Sequence, residues 1–149
     1  MAASPSFAST GIVGSGLTPG TADTSFTAPS NVTAIILNTA SPVPYGTSGA
    51  SRVAVSTKVE ELIFQGVGTT TASKVQVFLV GATGSSSTLV YDMIDQITVD
   101  AVTPSASTSA FRTYRQYTNL IVPATFGLYI TTYSGNLGTV RVTALGGDF

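Results

Sequence analysis

KVEELIFQGVGTTTASKVQVFLVGA, residues 58–82, is the stretch on which the fold of this chain turns. Two runs rich in Val, Ile, Leu and Phe flank a Gly/Thr/Ser segment, which is the composition of strands around a turn rather than of a helix. In residues 59–67, Leu62 and Phe64 fall on one face and Glu61, Ile63 and Gln65 on the other. In residues 74–80, Val75, Val77 and Leu79 oppose Gln76, Phe78 and Val80. The pattern predicts the central strand pair of an all-β domain. Both runs carry apolar groups on each face, so the pair is expected either to be covered on both sides or to give its second face to a subunit contact.

Outward from this stretch the same grammar repeats. Residues 32–37 (VTAIIL) read as a short strand, Pro42, Pro44, Gly46 and Gly49 as a loop, and residues 52–57 as a further strand. Residues 89–99 (LVYDMIDQITV) fit helical spacing at Leu89, Met93 and Ile97, but the β-branched end and the absence of caps favour a strand with a bulge near Asp95. Residues 111–122 end at Pro123. Residues 127–133 alternate cleanly, and Ser134-Gly135-Asn136-Leu137-Gly138 reads as a hairpin connection into residues 139–145. The total is about eight strands with turn signals between them. This predicts an eight-stranded antiparallel β-sandwich, jelly-roll-like, with a closed barrel as the lesser option. Residues 1–30, rich in Ala, Ser, Thr, Gly and Pro, are expected to form an extended N-terminal arm ahead of a 31–149 sandwich domain. The arm would dock on its own domain or on a neighbouring subunit through isolated apolar anchors, Phe7, Ile12, Leu17 and Phe26.

Composition narrows the function classes. A chain of 149 residues suits one domain with a real core. Charged residues make up 9%, against about 25% in ordinary soluble proteins, so much of the surface falls to hydroxyls and apolar groups. With a net charge of −1, such a surface is poorly protected against association, and a homo-oligomer or a place in a larger assembly is expected. Phosphate binding needs a basic face, so nucleic acid is not an expected partner. The N-terminus has no basic, apolar leader pattern, and no run approaches the ~18 apolar residues of a membrane span. Synthesis in a cytoplasm, with no export signal and no membrane partner, is the expectation.

Catalytic and metal chemistry find little support. The chain has no cysteine and no histidine, which removes thiolate and imidazole ligands and the Ser-His-Asp and Cys-His nucleophile systems. Asp92, Asp95 and Asp100 do not follow a calcium-loop spacing. Glu60 and Glu61 are consecutive on a strand and should point to opposite faces, which would keep them from acting as a glycosidase pair. Gly11-Ile12-Val13-Gly14-Ser15-Gly16 lacks the preceding strand, the Lys-Ser/Thr ending and the following helix of a phosphate loop, and reads as arm flexibility. No cofactor, no metal and no enzymatic activity are expected. The densest cluster is Phe111-Arg112-Thr113-Tyr114-Arg115-Gln116-Tyr117. Its arginines and aromatics are residue types enriched at protein interfaces, so Phe111, Arg112, Tyr114, Arg115 and Tyr117 are candidate partner-binding residues.

The order of the pieces VEELIFQGVGTTTASKVQVFLVG, LVYDMIDQITVDAVTPSAST, NLIVPATFGLYITTY and VRVTALGGDF resembles a group of small structural proteins of tailed-bacteriophage virions. Their common layout is a strand, a Gly/Thr-rich turn and a strand with a late Phe, then an acidic strand running into a Thr/Pro/Ser loop. A Pro-containing turn before an aliphatic strand and a Gly-Gly-Asp-aromatic ending follow. The resemblance covers roughly residues 50 to 149 and consists of β-strand patterns. It implies a non-enzymatic virion component, a decoration or cement protein on the capsid exterior that binds the major capsid protein, often as a trimer. The alternative is a carbohydrate- or receptor-binding module on a head fibre or tail, with Tyr114, Tyr117, Tyr129 or Tyr133 as stacking platforms.

Overall fold

The computed structural model describes residues 11–37, 56–82, 89–136 and 138–148, the side chains of 11, 12, 37, 82 and 148 excepted. Phe7, the side chain of Ile12, the 42–49 loop and most of the strand expected at 52–57 lie outside the described residues. Eight strands follow in chain order: β1 (Gly11–Leu17), β2 (Thr33–Leu37), β3 (Thr57–Gly66), β4 (Ser73–Ala82), β5 (Leu89–Val99), β6 (Arg112–Val122), β7 (Gly127–Thr132) and β8 (Val140–Asp148). They form two antiparallel sheets of four, ordered β1-β8-β3-β6 and β2-β7-β4-β5. Among the described residues there is no helix.

The first strand pairs with the last, the second with the seventh, the third with the sixth and the fourth with the fifth. The chain is therefore one long hairpin whose two arms travel together and are wound across two sheets. Of the consecutive strands, only β4 and β5 are neighbours in one sheet.

This overturns the expectation that residues 58–82 form a strand pair: β3 and β4 are each interior, but in opposite sheets. The physical reason lies in the segment between them, which is bonded to other loops instead of closing on itself. Gly66 N–H donates to the Phe111 carbonyl and Val67 N–H to that of Thr139, and Thr70 forms a two-way bridge with Val102. The Ser134–Gly138 connection is likewise an arch between sheets and not a hairpin. Its centre is Asn136, buried and in the left-handed region at φ 50°. The Asn136 amide accepts from Thr71 N–H at 2.8 Å and donates to the Thr71 carbonyl at 2.7 Å and to Ser73 Oγ at 2.5 Å, while its own carbonyl accepts from Thr18 Oγ1. One asparagine thus holds three crossings together at one end of the sandwich. Asn tolerates that backbone conformation because its short amide bonds locally.

Between the sheets lies a core of Ile35, Ile36, Val59, Leu62, Phe64, Val75, Val77, Ile97, Val99, Leu128, Ile130, Val140 and Val142. The outward faces of the two sheets differ. On β4 and β7 both faces are covered: Phe78, Val80 and Tyr129 form a second buried cluster against Val32, Ala34, Leu89 and Tyr91, with Phe78 edge-on to Tyr91 at 6.3 Å. The outward face of β3 carries Glu61, Ile63 and Gln65, none of them buried. The double apolar pattern of residues 58–82 therefore reports cover on both sides for β4 alone.

Residues 11–17, expected in an arm, are the edge strand β1, paired to β8. The glycines that suggested flexibility serve close approach instead. A Cβ on Gly14 would overlap the Ile35 carbonyl, and one on Gly16 would stand 2.7 Å from the Ala34 carbonyl oxygen. With hydrogens there, the edges β1 and β2 of the two sheets close against each other. Beyond β1, Asp23 organises a loop, accepting from the N–H groups of Ser25, Ser30 and Asn31. These bonds, that to Ser25 first, hold its carboxyl below the usual range.

Candidate functional site

The outward face of the β1-β8-β3-β6 sheet is where the chemically distinctive side chains gather, and a pair of irregularities places them there. Opposite Glu60 the register slips on both sides of β3: Val59 faces Leu120 and Gly146, whereas Glu61 faces Gln116 and Leu145. Glu60 is an extra residue against β8, and on β6 three residues, 117–119, stand against Glu60 alone. The bulge resets the alternation, so Thr57 and Val59 point inward before it and Leu62 and Phe64 after it. Glu60 and Glu61 consequently line the same hollow, a correction to the opposite-face expectation that regular pleating imposes. Gly146 belongs to the same device, since a Cβ there would overlap the Lys58 carbonyl.

The hollow at the bulge is open, about 340 Å³, and is lined by Glu60, Glu61, Gln116, Tyr117, Thr118 and Leu145. A second, of about 500 Å³, is lined by Glu61, Arg112, Tyr114 and Gln116. Glu61 and Gln116 are shared, so the two hollows adjoin along the β3/β6 seam. Cross-strand pairing explains the grouping: Glu61 faces Gln116, Ile63 faces Tyr114 and Gln65 faces Arg112. Glu60 pairs with Lys58 Nζ at 3.3 Å, and Glu61 Oε2 accepts from Gln116 Nε2 at 3.5 Å.

Alternation along β6 divides the cluster at 111–117 into three fates. Phe111, only 8% exposed, belongs to the core between the sheets and presents no free face. Arg112 and Tyr114 stand on the outward face, Tyr114 at 62% exposure. Arg115 and Tyr117 turn to the open edge of the sandwich, where Asp95 reaches them from β5 in the opposite sheet. Tyr117 Oη donates to Asp95 Oδ2 at 2.6 Å, and Arg115 Nε lies 3.7 Å from the same oxygen. Burial, then the bond to Asp95 and its charge, push the Tyr117 hydroxyl well above the usual phenol range. These three side chains clasp the two sheets at the β5/β6 edge, opposite the Gly14 closure of β1 and β2.

Asp95 takes part because β5 bulges there. Val77 faces Asp95 and Phe78 faces Met93, so Ile94 is the extra residue, at the place where the sequence pattern predicts a bulge. The partner of Asp95 is invisible in the sequence, since Tyr117 lies 22 residues away on the other sheet. Of the other expected anchors, Leu17 ends β1 at 37% exposure and Phe26 is 47% exposed. Phe26 lies against Tyr133, ring centres 5.8 Å apart, some way from the β3/β6 seam in the chain's topology. The expected contact residues are thus spread over several parts of the molecule. Among the described residues no group of three or more acidic side chains is placed to hold a metal ion.

No family model matches the chain, and comparison with curated proteins and with solved structures yields no match.

Proposed function

We propose that the protein is a non-enzymatic structural component of a tailed-bacteriophage virion, of the capsid decoration or cement type. It binds the major capsid protein lattice from the outside as a homo-oligomer, with a trimer favoured. The observation that carries this reading is the character of the exposed surface. Leu17, Phe26, Val67, Val90, Met93, Tyr114, Ile121 and Tyr133 are large apolar side chains left in solvent, on a chain with only seven acidic and six basic residues to keep copies apart. Such a surface suits burial against protein more than life as a free monomer. The resemblance of residues 50 to 149 to small virion proteins supports the same reading.

The strand order adds support of a more general kind. A hairpin wound into two sheets of four resembles the jelly-roll arrangement, which recurs in viral shells and in lectins and which leaves long edges and broad faces for contact. Fold alone does not choose among its uses. The open setting of Glu60 and Glu61 supports a non-catalytic role. A glycosidase needs two carboxyls set to flank the scissile bond, and here each is engaged by a neighbour of its own, Lys58 or Gln116, on an open sheet face.

The test is quantitative mass spectrometry of purified particles of the phage that encodes the chain, joined to rebinding of the recombinant protein to stripped shells. The expected result is a copy number in fixed ratio to the major capsid protein and saturable rebinding. Absence from purified particles would overturn the proposal. A truncation used to probe an N-terminal arm must stop before Gly11, because removing residues 1–30 also removes β1 from its sheet.

A further inference from the structure

The paired hollows on the β3/β6 seam point to a ligand of defined chemistry, and we infer that this face binds a neutral oligosaccharide. The inference stands apart from the virion assignment and uses only the arrangement of side chains on one sheet face. Six residues form the track: Glu60, Glu61, Arg112, Tyr114, Gln116 and Thr118.

Sugar hydroxyls donate and accept at once, so a saccharide site needs acceptors, donors and mixed groups interleaved at close spacing, with an aromatic ring for the apolar face of a pyranose. The track supplies each. Glu60 and Glu61 are acceptors, Arg112 is a donor only, and Gln116 and Thr118 are both. Tyr114, the most exposed large apolar side chain of the described residues at 62%, is the one aromatic of the cluster free to act as a platform. Phe111 is in the core and Tyr117 is committed to Asp95. Tyr129, another sequence-level candidate, is buried.

Charge selects the class. Glu60 is paired to Lys58, and the carboxylate of Glu61 is balanced along the face by Arg112 and, on the other side of Gln65, Arg141. The two signs are therefore interspersed and offer neither a sulfated or uronate chain nor a nucleic acid the continuous basic run it requires. Volumes of about 340 and 500 Å³ in contiguous hollows fall within the range of small-molecule sites. Their open form leaves much of a bound sugar wet. Affinity for a single site is therefore weak, on the order of 1 mM, and gains strength through several copies presented together.

The site is built by the bulge. On a regular strand Glu60 would point away from Glu61, and the wide β6 excursion at 117–119 would not bring Thr118 beside them.

The experiment titrates the isotope-labelled full chain with maltohexaose, cellohexaose and N-acetylchitohexaose at millimolar concentration and follows backbone amide shifts. The expected result is that at least one of the three shifts amides of residues 60–63 and 112–118 saturably, with the amides near Phe26 and Tyr133 unmoved. Tyr114→Ala weakens that binding by roughly tenfold, and Tyr133→Ala leaves it unchanged. Gln116→Ala serves as a second variant, and the shift map itself needs no substitution. The inference is overturned if none of the three sugars shifts these amides, if the shifts fall elsewhere, or if a heparin hexasaccharide binds the same face more tightly than the neutral sugars.

Discussion

Gly14 and Gly146 show how single hydrogens set the spacing of backbone in this sandwich. Each stands where a methyl group would enter a carbonyl of a neighbouring strand, Ile35 for Gly14 and Lys58 for Gly146. Gly14→Ala would have to push the β1 and β2 edges apart, a cost of about 1–3 kcal/mol or more by analogy with overpacked sites. Urea midpoints of the variant and parent should show it, with Gly20→Ala, where a Cβ meets nothing, as the near-neutral control. Tyr117 makes a different residue-scale prediction. It holds its proton more tightly folded than unfolded, so its contribution is complete below the unfolded phenol value of about 10 and is lost as pH rises above it. Tyr129, pushed up to about 12 first by burial, acts in the same direction. Stability should fall steadily above pH ~10. Tyr117→Phe should cost about 1–2 kcal/mol at neutral pH, because it leaves the Asp95 carboxylate without its hydroxyl donor, and should show a shallower alkaline fall. Thermal melts at neutral pH and along an alkaline series would check both parts, and equal alkaline slopes would refute the second.

At the scale of the element, β3 and β4 look alike in sequence and differ in setting. Both put apolar groups on each face, yet the outward side chain Phe78 of β4 is fully buried in its own cluster and the outward Ile63 of β3 is not buried. Phe78→Ala should therefore behave as a core truncation and cost about 3–5 kcal/mol, comparable with Phe64→Ala, whereas Ile63→Ala should cost only about 1 kcal/mol. Chemical denaturation of the three variants would check the ranking. A small loss at Phe78 would show that the second cluster contributes little. The bulges also act at this scale. Those at Glu60 and Ile94 each spend ladder pairing to redirect side chains, one set into the hollow on the sheet face and the other, Asp95, into the clasp with β6.

For the whole molecule, the wound hairpin divides its paired strands between the two sheets, and the edges are closed differently on the two sides. Glycine lets β1 and β2 meet backbone to backbone, and the Asp95–Tyr117–Arg115 group ties β5 to β6. What remains outside is a surface of low charge with scattered large apolar groups. Light scattering on the purified chain should give a mass above that of one 15.1 kDa copy. Lysine substitutions at Met93 and Ile121, both exposed, should lower that mass if these edge-strand residues lie in the contact. A monomer at all concentrations would contradict the expected homo-oligomer.

Sequence alone determined the all-β class, the approximate extents of β2 to β8 among the described residues, and the bulge near Asp95. These depend on alternation and turn composition over a few neighbouring residues, which a linear reading captures. Its reach stopped at partner choice. Whether the segment after β3 closes a hairpin or crosses to the other sheet is decided by bonds from Gly66, Val67, Thr70 and Thr71 to residues 102, 111, 136 and 139, all far along the chain. The glycines of 11–16 looked like flexibility because their reason for being small is the Ile35 carbonyl on another strand. Glu60 and Glu61 were legible as neighbours, but not as neighbours on one face, because a bulge exists only relative to the strands beside it. Periodicity is a property of one strand. The hollow, the clasp and the wound order of strands are properties of pairs, and only packing brings those pairs together.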